Sequence, residues 1–278
     1  MLLLHLTKKS NFKNYMYMRT IKILAVILLF GPALCAQTVT PVKPIESGKV
    51  FFTEKISLDI VVQGIPAELL SQIPKERVNK TELIFNQQAS LYQNLKEEQN
   101  EGKEIDTQQE GGVKLRFKMN QEQNILFTDL VKKQSIEKKQ FLGKDFLITK
   151  SEANTGNNWK IKADQKIILG YPCQKAVLER DSSKVEAWFT SLIPVGTGPA
   201  SYGNLPGLIL ELQDSRSKLH VAATAVVADE AVASLLTVPT GGKKVTEDEF
   251  TKIVEEKTKE LKQQFGGGSS NVIIKINR

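Results

Sequence analysis

Cysteine and histidine are nearly missing from this sequence: its 278 residues carry two of each. Cys35 and His5 fall in an N-terminal stretch that reads as a removable signal, which leaves Cys173 and His220. A single thiol excludes an intrachain disulfide. One histidine and one cysteine cannot supply the three or four ligands of a zinc site. No Asp-rich loop with calcium spacing, no G-x-S-x-G elbow and no P-loop occurs. Gly196-Thr197-Gly198 begins like a dinucleotide-binding turn, but Pro199 stands where a helix would have to open. The sequence therefore predicts no metal, no cofactor and no recognisable catalytic residues. Cys173 and His220 remain the only candidates for a thiol enzyme or hydrolase with an unfamiliar site. Cys173 reads more naturally as a small buried hydrophobe, and His220 as an ordinary strand residue.

A long apolar run is absent too. The most apolar stretch, Ile23 to Phe30 (ILAVILLF), has eight residues and is too short to span a bilayer. Arg19 and Lys22 precede it, Gly31-Pro32 follows, and Ala33-Leu34-Cys35-Ala36 offers small residues for cleavage. That is the layout of a secretory signal. Cleavage after Ala36 makes Gln37 the first mature residue. Met18 sits where such a signal should begin, so residues 1–17 read as an extension from a mis-called start. Two alternatives stay open: an uncleaved anchor, and a lipoprotein attached through Cys35. The expected location is the periplasm or exterior of a Gram-negative bacterium, with no transmembrane span after cleavage.

Charge of one sign is less abundant than it looks. The formal net charge is +7, but Lys8, Lys9, Lys13, Arg19 and Lys22 all lie before residue 37. Setting those five aside leaves 33 basic against 31 acidic residues. So nearly balanced a chain has no electrostatic reason to bind nucleic acid.

What the sequence has is period-two alternation. Val185, Ala187 and Phe189 alternate with Glu186, Trp188 and Thr190, as in a strand with one buried face. Leu208, Leu210 and Leu212 repeat the pattern. Similar stretches occur at 50–62, 81–85, 89–93, 113–119, 125–131, 135–141, 145–150, 159–162, 166–169, 173–179, 219–227 and 271–276. Pro66 could open a short helix. A longer one follows Thr246, which with Glu249 forms a capping box; Phe250, Ile253, Val254, Leu261 and Phe265 share one face. The fold expected is mainly β (α+β): a curved, half-barrel-like antiparallel meander with the C-terminal helix packed against it. That shape is similar to the periplasmic lipoprotein carriers in architecture only. The expected organisation is a signal over 1–36, an extended lead-in over 37–48 and one β-rich domain over 49–278.

Between the strands ending at Thr190 and starting at Leu208 lie three X-Pro steps, at Pro194, Pro199 and Pro206. Proline gives no N–H to a ladder, so 191–207 is a structured connection. Leu205-Pro206-Gly207-Leu208 reads as a type II turn. Its length favours a role beyond connection.

Asn204-Leu205-Pro206-Gly207-Leu208-Ile209 resembles the hexapeptide that names the GLPGLI family of bacterial exported proteins. Gly170 to Ala176, Ala187 to Thr190, Ile193-Pro194, Gly198-Pro199, Ser47 to Val50 and Ser90-Leu91-Tyr92 agree with its pattern in order. Asn204 departs from the family's Gly, yet Asn also tolerates a left-handed backbone. The resemblance implies an exported protein and no particular activity. The residues singled out for binding are Trp188, Tyr202, Asn204, Leu205, Pro206 and Gly207. Trp188 points away from Val185 and Ala187, and belongs to the core only if both sheet faces are covered. The leading expectation is a protein that binds an apolar small molecule or an envelope protein beside 191–207. A pocketless assembly component of the envelope, using the basic face of 113–119 or a sheet edge, is the alternative; an enzyme comes third.

Overall fold

The computed structural model describes residues 44–58, 75–95, 124–151, 158–180 and 183–265, all within one compact unit, Lys43–Arg278. The expected signal, the strand at 113–119, the helix from Pro66 and the final strand at 271–276 lie outside the described residues. So do Asp181 and Ser182.

Alternating sequence becomes alternating burial. Twelve strands form one sheet among the described residues. They are β1 (Gly48–Ser57), β2 (Glu76–Phe85), β3 (Ala89–Asn94), β4 (Ile125–Asp129), β5 (Gln134–Phe141), β6 (Lys144–Ser151), β7 (Lys160–Ile168), β8 (Tyr171–Arg180), β9 (Ser183–Thr190), β10 (Leu208–Asp214), β11 (Leu219–Ala228) and β12 (Lys243–Thr246). Their spatial order is β12-β6-β5-β4-β3-β2-β1-β11-β10-β9-β8-β7. The expectation of one continuous meander is corrected here. Two antiparallel meanders, β1 to β6 and β7 to β11, join where β1 pairs with β11. The chain then returns to the far edge, where β12 runs parallel to β6. The two short strands read at 159–162 and 166–169 are one strand, β7, with an irregularity between Ile161 and Gln165. The strand read at 125–131 stops at Asp129, whose carboxylate turns the chain by accepting N–H bonds from Val131 and Lys132.

One face carries the main core. Val50, Phe52, Leu83, Phe85, Val185, Ala187, Leu212 and Val221 are all at most 1% exposed. Each large side chain among them contributes roughly 2 kcal/mol by leaving water. Helix α1 (Glu247–Phe265) covers the far end of this face. Phe250 stacks edge-on against Phe141 and Phe146, at 6.1 and 5.2 Å between ring centroids. The capping box forms reciprocally: Glu249 N donates to Thr246 Oγ1 (3.2 Å) and Thr246 N to Glu249 Oε2 (2.8 Å). On the opposite face a short 3-10 helix (Glu230–Leu235) buries Val232 against Ile84 and Leu91.

Candidate functional site

The segment 191–207 crosses the core face as an arch. Its side chains alternate: Ile193, Val195, Thr197, Leu205 and Gly207 are buried, while Pro194, Asn204 and Pro206 face outward. Backbone N–H groups of Val195, Thr197 and Gly207 donate two residues back, to Ile193, Val195 and Leu205, at 2.7–2.8 Å. These are three-residue γ-turns centred on Pro194, Gly196 and Pro206, and proline's fixed φ lies close to what an inverse γ-turn needs. The type II turn expected at Leu205–Leu208 is therefore corrected. Leu208 N donates to Ile193 O at 3.0 Å across the arch rather than to Leu205. Asn204 adopts φ +65, a left-handed backbone that asparagine tolerates.

Long-range ties make the arch rigid. Asn204 N reaches Gly196 O at 2.9 Å, and Ile209 N reaches Thr197 O at 3.1 Å. The hydroxyls of Ser90 and Thr197 lie 2.9 Å apart, both buried. Trp159 Nε1 donates to Gly203 O at 2.9 Å. Tyr202 Oη donates to Asp214 Oδ2 at 2.8 Å, and its ring meets Trp159 edge-on. Burial and then this bond to a carboxylate push the Tyr202 phenol up to about 12.

A cleft of about 760 Å³ opens beside the arch. One wall is Pro194, Val195, Gly196, Asn204, Leu205 and Pro206; the other is two hairpin tips, Gln87 between β2 and β3, and Thr128 to Leu130 with Lys133 between β4 and β5. Turn chemistry sets both tips. Asn86 Oδ1 accepts from the N–H groups of Gln88 (2.9 Å) and Ala89 (2.8 Å). Leu130 N donates to Gln88 O at 2.9 Å, which ties one tip to the other. Outward side chains of the arch thus face amide, carboxylate, ammonium and hydroxyl groups.

Asn204, Leu205 and Pro206 meet at this cleft, with Leu205 buried at its floor. Tyr202 and Gly207 are buried and do not line it. Trp188 does not join them. It pairs with Lys175 and Glu211, whereas Ala187 pairs with Ala176 and Leu212 on the core face. Trp188 is half-buried on the other face, with Lys166 Nζ 4.4 Å and Lys175 Nζ 5.7 Å from its ring centre. Glu211 and Glu186 hold those lysines, at 2.7 and 2.9 Å. His220 Nε2 is 3.6 Å from Glu211 Oε1, apart from the cleft. Gln87, Thr128, Asp129 and Lys133 were missed by the sequence reading. Asn86 and Asp129 mark turns, but nothing local says the turns face residue 204.

Cys173 is 1% exposed, its Sγ 3.4 Å from Tyr171 O, and burial raises its pKa to about 11. A nucleophilic thiol needs the opposite shift. The native protein is expected to resist maleimide at pH 7, with full labelling only in denaturant; rapid native labelling would contradict this burial.

Comparison with known proteins adds a family. The profile of the N-glycanase peptide, N-terminal domain (PNGase F-II) matches residues 79–251, more than half of the chain. The chain belongs to this family. Both walls of the cleft fall inside the matched segment. A solved structure of PNGF-II in the P21 space group is similar to this chain with a TM-score of 0.50 and 16% identity, covering 75% of this chain and 33% of that one. A second, in the C2 space group, has a TM-score of 0.46 and 18% identity over 74% and 33%. The chain thus spans about a third of the length of the solved structures it matches, and the first likeness supports a shared fold alone. No curated protein matches the chain.

Proposed function

We propose that the chain is an exported cell-envelope binding module that holds a glycan or glycosylated peptide in the cleft beside the arch. The observation that carries this reading is the arch's alternation. Over 193–197 and 203–207 buried residues alternate with outward ones, so Pro194, Asn204 and Pro206 are presented on a wall anchored in the core, which lowers the ordering cost of binding. The apolar ligand expected from the sequence gives way to one of mixed polarity, because Gln87, Asp129, Lys133 and Asn204 line the same space. Family membership supports the glycan class. The export layout of residues 18–36 and the GLPGLI-like motifs support an envelope location. The half-barrel curvature expected of the sheet is part of this proposal, supported by the arch and α1 sharing one face. An assembly role is the second reading; it is favoured by Ile161, Ile167 and Leu169, which are 47, 76 and 47% exposed along or just past edge strand β7.

Native mass spectrometry of the mature protein, followed by titration with glycopeptides, tests the proposal. The expected intact mass starts at Gln37. Glycopeptide binding is expected to weaken about tenfold, or ~1.4 kcal/mol, on Gln87→Ala. A folded protein that binds no glycan or glycopeptide, and instead retains one stoichiometric envelope protein, would sink the proposal in favour of assembly.

A further inference from the structure

We propose that the cleft selects an acidic saccharide, with Lys133 meeting the ligand's carboxylate or sulfate; this rests on the cleft being the ligand site. The argument is one of charge accounting. Two ionisable residues line the cleft, Asp129 and Lys133. The Asp129 carboxylate is already engaged. Its Oδ1 accepts from Val131 N (3.1 Å) and Lys132 N (2.8 Å), and its Oδ2 lies 3.5 Å from Lys132 Nζ. Those donors, the Lys132 backbone N–H first, hold its carboxyl below the usual range. Lys133 is exposed and has no ion-pair partner among the described residues. A guest therefore meets one uncompensated cation.

The neutral groups at the lips point to a sugar. Gln87 and Asn204 are exposed, and their side-chain amides make no hydrogen bond among the described residues. Each offers both donors and an acceptor, which suits hydroxyl groups. Pro194 and Pro206 add apolar surface on the same wall as Asn204. A peptide strand would need an unpaired backbone ladder to extend. Among the described residues the cleft offers no continuous one, because its second wall is two closed hairpin tips and the backbone N–H groups of Val195 and Asn204 are already bonded within the arch. An oxyanion beside Lys133 gains a charge-assisted contact that a neutral sugar lacks.

The test is calorimetric titration of the full mature protein at low salt with three probes. These are a neutral N-acetylglucosamine oligosaccharide, the same oligosaccharide bearing one carboxylated sugar, and its sulfate ester. The acidic probes are expected to bind at least tenfold tighter than the neutral one, with the preference shrinking in 0.5 M salt. Lys133→Gln should abolish the preference for the acidic probes, and Lys133→Arg should keep it. A preference for carboxylate over sulfate, or the reverse, names the oxyanion and supports the inference either way. Equal binding of neutral and acidic probes, or a preference that survives Lys133→Gln, would overturn the inference and leave the cleft reading standing. An acidic peptide competing as strongly as the acidic sugar would overturn the saccharide class. No binding of any probe would overturn the cleft reading itself.

Discussion

Replacing Asp214 by alanine is expected to destabilise the protein by about 3 kcal/mol, roughly two tenfold steps in the folding equilibrium. Asp214 is 4% exposed and lies at the end of β10, under the arch. Its Oδ2 accepts from Tyr202 Oη and Ser217 Oγ, both at 2.8 Å, and its Oδ1 from Arg216 N at 2.8 Å. Alanine would leave the buried Tyr202 hydroxyl without its acceptor and loosen the turn after β10. Asp214→Asn keeps the shape and should cost about half as much. Burial acts to raise the Asp214 carboxyl, but its hydrogen-bond donors outweigh it and hold the pKa below the ordinary value. Stability gained this way is fully present above the unfolded pKa and is lost as pH falls through the folded one. Tyr202 has the opposite sign. Its pKa of about 12 exceeds the unfolded value, so its contribution is present below about pH 10 and is lost as pH rises towards 12. Urea melts at pH 7 and pH 3 test the acid limb: the gap between wild type and Asp214→Asn should narrow at pH 3. A change under 1 kcal/mol for Asp214→Ala at pH 7 would mean that the arch is held elsewhere.

Gly207→Ala is expected to be still more damaging, about 4 kcal/mol, with most of the protein insoluble. A Cβ at this position would stand 2.1 Å from Thr190 O and 2.7 Å from Thr190 C, with the backbone at φ +154. The obstruction is main chain on the neighbouring strand end, so no rotamer change relieves it. Separation would break the bond from Leu208 N to Ile193 O and lift Leu208, fully buried, off the core. Gly143 is the control. It also has a positive φ, +75, but open space around it, so alanine there should cost only about 1 kcal/mol. Thermal melts of the two variants should differ clearly; equal melting temperatures would refute the tight approach at Thr190.

The strands were legible in the sequence where one face is buried and the other half-solvated. β9 shows this best, since the alternation of Val185, Ala187 and Phe189 with Glu186 and Trp188 reappears as alternating burial. The capping box was legible because both partners lie within one turn. Strand β12 was not. Lys243 to Thr246 has only Val245 buried, and its partner is β6, almost a hundred residues earlier. The γ-turn at Pro206 was misread for a related reason: local chemistry favoured a bond from Leu208 to Leu205, and Ile193 supplied a competing acceptor from across the arch.

Of the candidate site, proline spacing marked the arch, and alternation placed Trp188 opposite Ala187. The cleft itself was beyond reach, because Gln87 and Lys133 approach Asn204 only through the pairing of β1 to β5 and the ties from arch to sheet.

By itself, then, the sequence determined which residues alternate along the strands and the capping box that opens α1. Those properties depend on side-chain type and spacing along a few residues. Tertiary structure alone decided the strand order, the parallel edge strand, the hydrogen-bond partners inside the arch and the convergence of two hairpin tips on one cleft. Each of these pairs groups far apart in the chain. Backbone donors and acceptors are chemically alike at every position, so only the packed fold selects which of them meet.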